Sequence, residues 1–164
     1  MKRAALALLA AALLLPLAAG GARGEDPECR RWRDAFAAMP VRMVTVQIGA
    51  KTMAFRVKVA QTPEQQAAGF QCATREEIQR NLILFDFGQE IVTQFHMNNV
   101  PAALDIAFIK ADGRIFSIMR MEPSPTALYG PAGAFRYALE ARAGFFESQG
   151  IRQGEARLVA APAR

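Results

Sequence analysis

The sequence predicts a mostly-β fold with a minor α component, a compact β-barrel or sandwich of about eight short strands with two or three short helices. Three observations carry this. Apolar residues alternate with period two along most of the chain, as in Val44, Val46 and Ile48 followed by Met53, Phe55, Val57 and Val59. Helix-start signals open only brief stretches. Turn residues punctuate the chain at short intervals, and Asp112-Gly113 between two apolar runs is the strongest hairpin signal.

Taken in order, Asp26 is a candidate N-cap and Pro27 stands at the first helical position, so a short helix runs to about Met39 before Pro40 stops it. From Met43 the alternation predicts a hairpin with Gly49-Ala50-Lys51 at its turn. Thr62-Pro63-Glu64-Gln65 is a capping box whose helix ends at Gly69, and Thr74-Arg75-Glu76-Glu77 is a second. Leu82 to Phe87 and Ile91 to Met97 read as strands separated by Gly88-Gln89-Glu90. Leu104 to Lys110 and Arg114 to Met121 flank Asp112-Gly113, and the proline-rich stretch Glu122 to Gly133 reads as a loop. Phe135 to Ala141 is a strand, Gly144 to Gly150 a turn or short helix, and Ala156 to Ala160 a closing strand.

Ahead of these elements, Lys2 and Arg3 precede an apolar run from Ala4 to Ala19, and small residues follow it. That order is the pattern of a secretory signal peptide over residues 1–20, with cleavage after Gly20. A membrane span needs about 20 apolar residues, and this run is shorter and broken by Pro16. Residues 21–42 then form an N-terminal arm with its short helix, and residues 43–164 a single β-rich domain. Removing residues 1–20 from the 164 leaves 144, enough for one core. The expected location is periplasmic or secreted, with no stable membrane span after cleavage. No Cys stands immediately after the cleavage site, the first being Cys29, which disfavours lipid anchoring, and a twin-arginine export signal is lacking.

Lys and Arg total 20 against 15 Asp and Glu, and loss of Lys2 and Arg3 brings the excess to three. That balance is no nucleic-acid signature. Arg30, Arg31 and Arg33 beside Trp32 read as the solvated face of the first helix. Cys29 and Cys72 both lie in the part that would meet an oxidising compartment, and one disulfide is the simplest pairing.

A set of segments together resembles a known family. They are Val59-Ala60-x-Thr62-Pro63-Glu64 leading to Gly69-Phe70, Leu84-Phe85-x-Phe87, and Phe95-His96-Met97-Asn98-Asn99-Val100-Pro101 with Leu104-Asp105-Ile106-Ala107-Phe108-Ile109. Asp112-Gly113-Arg114-Ile115, Leu139-Glu140 with Gly144, and Gly150-Ile151 with Gly154 complete the set. On these residues the chain, from about Val57 to about Val159, resembles the domain-of-unknown-function family 192. The family usually has Gly-Leu-Met-aromatic-Arg where this chain has Gly69-Phe70-Gln71-Cys72-Ala73, and Phe-Trp-Met-Lys-Asn where it has Phe95-His96-Met97-Asn98-Asn99. The usual Arg, Trp and Lys are therefore absent, which marks a variant branch. The resemblance implies a fold and no particular activity.

Several residues invite chemistry. His96, the single histidine, suits a general base or one metal ligand because imidazole titrates near neutrality; it also suits a plain hydrogen-bonding role. Asp105 and Glu140 are carboxylates inside apolar strands, where each must face solvent or find a buried partner. If both share a cleft with His96 and Asn99, an acid–base site results. Otherwise they are outward or structural. Met119 and Met121 share one strand face and, with Met97 and His96, suggest a soft Cu(I) site or ordinary core packing. No phosphate loop, dinucleotide fingerprint, zinc spacing, EF-hand or serine nucleophile elbow is present, so no metal or cofactor is assigned from sequence.

The first functional expectation is a binding or accessory module that recognises a small molecule or an envelope protein, as a monomer or weak dimer. Its cleft would lie near Phe95–Asp105 and the Glu122–Gly133 loop, with polar groups from His96, Asn98, Asn99 and Asp105. Phe70, Tyr129 and Phe135 would supply aromatic walls. An acid–base enzyme using Asp105, His96 and Glu140 comes second, and a Cu(I)-binding protein third.

Overall fold

The structure, a computed structural model, describes residues 26–160; the segment expected to be a signal peptide lies outside the described residues. The chain forms α1 (Pro27–Ala37), β1 (Val41–Ile48), β2 (Lys51–Ala60), α2 (Pro63–Ala68), α3 (Arg75–Arg80), β3 (Ile83–Ile91) and β4 (Phe95–His96). There follow β5 (Leu104–Ile109), β6 (Ile115–Met121), β7 (Leu128–Tyr129), β8 (Phe135–Arg142), α4 (Phe145–Ser148) and β9 (Ala156–Ala160). The fold is mostly β, as the alternation predicts, with nine strands and four short helices among the described residues.

Seven strands make one sheet in the order β6-β5-β8-β3-β2-β1-β9. Its neighbours pair antiparallel except β2 and β3, which run parallel because α2 and α3 form the crossover between them. Both crossover helices start as their sequences demand. The Thr62 hydroxyl accepts from the Gln65 amide and the Thr74 hydroxyl from the Glu77 amide, and each box is completed in return by the Gln65 or Glu77 side chain.

The sheet curls until its edges meet, giving a nearly closed barrel. The Leu158 amide donates to the Gly113 carbonyl at 2.8 Å, the Gly154 amide to the Ile115 carbonyl at 2.8 Å, and Arg114 bridges to Arg157. Gly113 makes this closure possible: at φ +88° a Cβ would stand 2.1 Å from the Leu158 carbonyl oxygen. The β5–β6 hairpin signal therefore does two tasks, turning the chain and admitting the opposite edge.

Two cores share the sheet. The enclosed face gathers Val44, Val46, Val57, Val59, Leu84, Ala107, Ile109, Leu139 and Leu158, with Phe146 and Ile151 from the α4 region packed among them. The outer face of β3, β5 and β8 carries Ile83, Phe85, Ile106, Phe108, Phe135 and Ala138 beneath α1, α2, α3 and the β4–β7 ribbon. Strict alternation assigns successive residues to the two cores: Leu84 faces inward and Phe85 outward.

Helix α1 is anchored at both ends. Cys29 is disulfide-bonded to Cys72, with a Cα–Cα distance of 5.4 Å. At the other end Lys58 donates to the Phe36 carbonyl at 2.9 Å and lies 4.4 Å from the Phe36 ring centroid, a cation at a helix C-terminus and over an aromatic face.

Two segments differ from the sequence reading. Gly88-Gln89-Glu90 is not a turn: β3 continues through it to Ile91, and Gly88 at φ +77° accommodates a shift in pairing register instead. The Asp86 carboxylate accepts from the Gly88 amide at 2.9 Å and fixes that irregularity. The Glu122–Gly133 stretch is also not all loop, since Leu128–Tyr129 pairs with Phe95–His96 as a two-stranded ribbon.

Candidate functional site

Three carboxyl side chains are buried among the described residues, and their surroundings separate structure from function. Asp86 receives the Gly88 amide and stands 3.8 Å from the Arg136 guanidinium. Asp105 receives Arg120 Nε and the Gly144 amide, the latter at 2.7 Å. It thereby clamps β5 to β6 and to the turn that opens α4. Glu140 differs: it is 4 % exposed and its Oε2 has no hydrogen-bond partner among the described residues. A buried polar atom without a partner is uncommon, because removal from water costs roughly 1–3 kcal/mol when nothing replaces the lost hydrogen bonds.

Glu140 points from β8 into a pocket of about 230 Å³ on the outer face of the sheet. Its floor and walls are Phe85 and Phe87 of β3, Phe95 of β4, Leu104 of β5 and Phe70, with Gln66, Ala67 and Gly69 along the α2 side and Thr93, Gln94 and His96 at the ribbon side. Phe95 meets Phe85 edge-on at 5.1 Å and Phe87 at 6.5 Å, so the aromatic wall is itself held rigid. Gly69, the C-cap of α2 at φ +46°, opens the space next to the carboxyl: a Cβ there would lie 3.4 Å from Phe85 Cζ and 3.5 Å from Glu140 Oε2. Burial pushes the Glu140 carboxyl up from 4.5 to about 8. At neutral pH it can therefore act as a donor as well as an acceptor.

The residues expected to share one cleft are divided. Glu140 and His96 line the same pocket. Asp105 does not join them: one residue of alternation turns it away from Leu104 and Ile106, onto the face where it meets Arg120. An Asp105–Glu140–His96 constellation is thereby corrected. Asn98 and Asn99 line a separate, shallow groove of about 940 Å³ with the Cys29–Cys72 bridge and Pro123, Ser124 and Pro125. Asn99 adopts φ +56° there and its carbonyl accepts from the Cys72 amide at 2.8 Å. Tyr129 is occupied structurally, its hydroxyl donating to the Glu122 carbonyl at 3.0 Å and receiving the Glu122 amide at 3.1 Å. Phe70 does form a pocket wall, whereas Phe135 is wholly buried in the outer core.

His96 is exposed at the rim, with its Nδ1 accepting from the Asn98 amide at 3.3 Å, which leaves Nε2 to carry the proton in the neutral ring. Met97 and Met121 are buried in the outer core and Met119 packs against it, the gap-filling role of thioethers. The residues that sequence reasoning missed at the site are Phe85, Phe87, Phe95 and Gln66. The first three carried the family resemblance and read only as core strand residues.

These features define a class: a nearly closed β-barrel with a small aromatic pocket outside the barrel wall and an unpaired carboxyl at its base. The chain belongs to the family DUF192, described as "Uncharacterized ACR, COG1430", whose model matches residues 44–157. Among solved structures it is similar to a Sinorhizobium meliloti 1021 protein described as a proposed transcription regulator. That match has a TM-score of 0.66 and 27 % identity, over 73 % of this chain and 93 % of that one. It is also similar to a protein of unknown function from Novosphingobium aromaticivorans DSM 12444, with a TM-score of 0.62 and 26 % identity over 75 % of this chain and 95 % of that one. No match is found among curated proteins.

Proposed function

We propose that this protein is an exported small-ligand binding module, acting in the periplasm or outside the cell, whose site is the Glu140 pocket. The observation that carries the reading is the orphaned Glu140 Oε2 at the base of an aromatic pocket. Cores satisfy their polar groups, and the chain does so for Asp86 and Asp105; an acceptor left open beside a glycine-made space suits a partner that arrives from outside. The pattern of residues 1–20 and the Cys29–Cys72 disulfide support export. The small charge excess supports a small molecule over nucleic acid.

The test is native mass spectrometry of the mature protein purified from its own envelope, set beside the denaturing spectrum. A small-molecule mass released on denaturation is expected. Ala67→Trp, at an exposed position on the rim, should abolish it while leaving the melting curve of the ligand-free protein unchanged. A mass that survives Ala67→Trp would place the ligand elsewhere.

A second reading, general acid–base catalysis, is favoured by one specific pairing: a carboxyl pushed to about 8 and a histidine on the same pocket. Under that reading a turned-over small molecule leaves no retained mass, and activity is lost in both Glu140→Gln and His96→Gln.

A further inference from the structure

We propose that the ligand of the Glu140 pocket is a small organic ammonium ion, its N–H group hydrogen-bonded to the Glu140 carboxylate and its alkyl part held by the phenylalanine walls. This inference rests on the binding reading above and adds the chemical class.

Charge is the first argument. The full chain carries 20 Lys and Arg, yet among the described residues none lines this pocket, whose ionisable groups are Glu140 and His96. An anionic ligand would find no counter-charge there and would face a carboxyl at the base. A cation would find its counter-charge at Glu140 Oε2, which among the buried side-chain atoms without a partner in the described residues is the one that belongs to this pocket. The pairing is worth more in this position than at the surface, because the Glu140 carboxyl is buried beside the phenylalanine walls and away from bulk water.

Shape and wall chemistry agree. Phe70, Phe85, Phe87 and Phe95 line the space, and aromatic faces attract cations as well as alkyl groups. The volume of about 230 Å³ is below that of pockets for drug-sized ligands, which run from roughly 300 Å³ upward, so the occupant is a compact molecule. A second cationic group would have no second acid to meet. The ion is therefore singly charged.

The proton balance follows from the groups that face Glu140. Gln66 and Gly69 on the α2 side, Phe85 on β3 and Leu104 on β5 are uncharged, and Asp105 lies on the other face of its strand. His96 is the one other titratable neighbour. An ammonium ion arriving at pH 7 meets a carboxyl that holds its proton; the O–H bond breaks, the proton passes to solvent, and the carboxylate accepts the ligand N–H. Binding releases up to one proton per site, and affinity rises with pH until the carboxyl is ionised, above about pH 8, and falls once the ligand amine itself deprotonates.

Three probes of one shape decide the matter: isopentylammonium, isopentyl alcohol and isovalerate, titrated calorimetrically into the mature protein at pH 7 in two buffers of different ionisation enthalpy. The ammonium should bind at least tenfold more tightly than the alcohol, isovalerate should not bind, and the buffer dependence should report proton release for the ammonium alone. Glu140→Gln should remove the preference for charge, leaving ammonium and alcohol equal. If the alcohol or isovalerate binds as well as the ammonium, and Ala67→Trp blocks it, the pocket stands and the cation class falls. If the ammonium binds with the same affinity in Ala67→Trp, the pocket reading falls with it. No binding by any of the three probes also overturns the proposal.

Discussion

Glu140 and Asp105 are one strand-pair apart in the same sheet, and they make opposite demands on stability. The Glu140 carboxyl ionises at 4.5 when solvated and at about 8 when buried in the fold. Between those values the folded chain holds a proton that the unfolded chain has released, so stability falls as pH rises across the window. The group contributes no penalty below pH 4.5, and its full penalty is reached above about pH 8. At most this amounts to about 5 kcal/mol, from roughly 1.4 kcal/mol per pKa unit. Urea denaturation at pH 5 and pH 8 should show that loss in the native chain and little of it in Glu140→Gln, which should be the more stable protein at pH 8. Parallel curves would mean that water reaches the carboxyl. Asp105 behaves in the other direction. Its oxygens accept from Arg120 and Gly144, and Asp105→Ala strands the Gly144 amide and removes the side-chain tie from β5 to β6, whose backbone ladder remains. A loss of about 2–4 kcal/mol is expected, measured at pH 7 by the same denaturation, with ligand retention in the Glu140 pocket intact.

At the scale of elements, barrel closure depends on a turn. Gly113 sits at φ +88° with its would-be Cβ 2.1 Å from the backbone of Leu158, so Gly113→Ala incurs both strain and a collision that no side-chain rotation relieves. The loss should be about 3 kcal/mol or more, and hydrogen exchange should show it first in the β6–β9 contact, where the Leu158 amide bonds to Gly113. Exchange that rose first at β1–β2 would contradict this. The Asp112-Gly113 hairpin was plain in the sequence, as were both capping boxes, because such signals are local. What the sequence did not disclose was register. Gly88 reads as a turn residue, yet here it serves a β3 irregularity, and only the pairing of Asp86 with Tyr137 and of Ile91 with Phe135 shows why. The same limit governs the site. Glu140 stood out as an acid within an apolar strand, but whether it was buried and whether Asp105 joined it depended on which face each strand presents, and Phe85, Phe87 and Phe95 looked like core until the ribbon and α2 bounded a space between them.

Over the whole molecule, the disulfide joins an N-terminal helix to a barrel that has its own enclosed core. Helix α1 and the residues just after it contribute Ala35, Phe36 and Met39 to the outer core and nothing to the inner one. Cys29 and Cys72 are 43 residues apart, and closing a loop of that length restricts the unfolded chain by about 4 kcal/mol in the chain-entropy model. A Cys29→Ser, Cys72→Ser double variant should lose up to that amount in denaturation at pH 7. The loss should also be unevenly distributed. Amides of α1 should exchange faster than in the native chain, since one of their two anchors has gone while Lys58 still holds the other. Amides along β1 and β2, whose Val44, Val46, Val57 and Val59 belong to the inner core, should keep the protection set by global unfolding. If α1 and the barrel instead lose protection together, the helix is part of a single cooperative unit and the two cores do not unfold separately. Because Cys72 borders the groove that holds Asn98 and Asn99 and does not line the Glu140 pocket, the double variant should retain the ligand proposed above, which would tie the disulfide to stability and not to recognition.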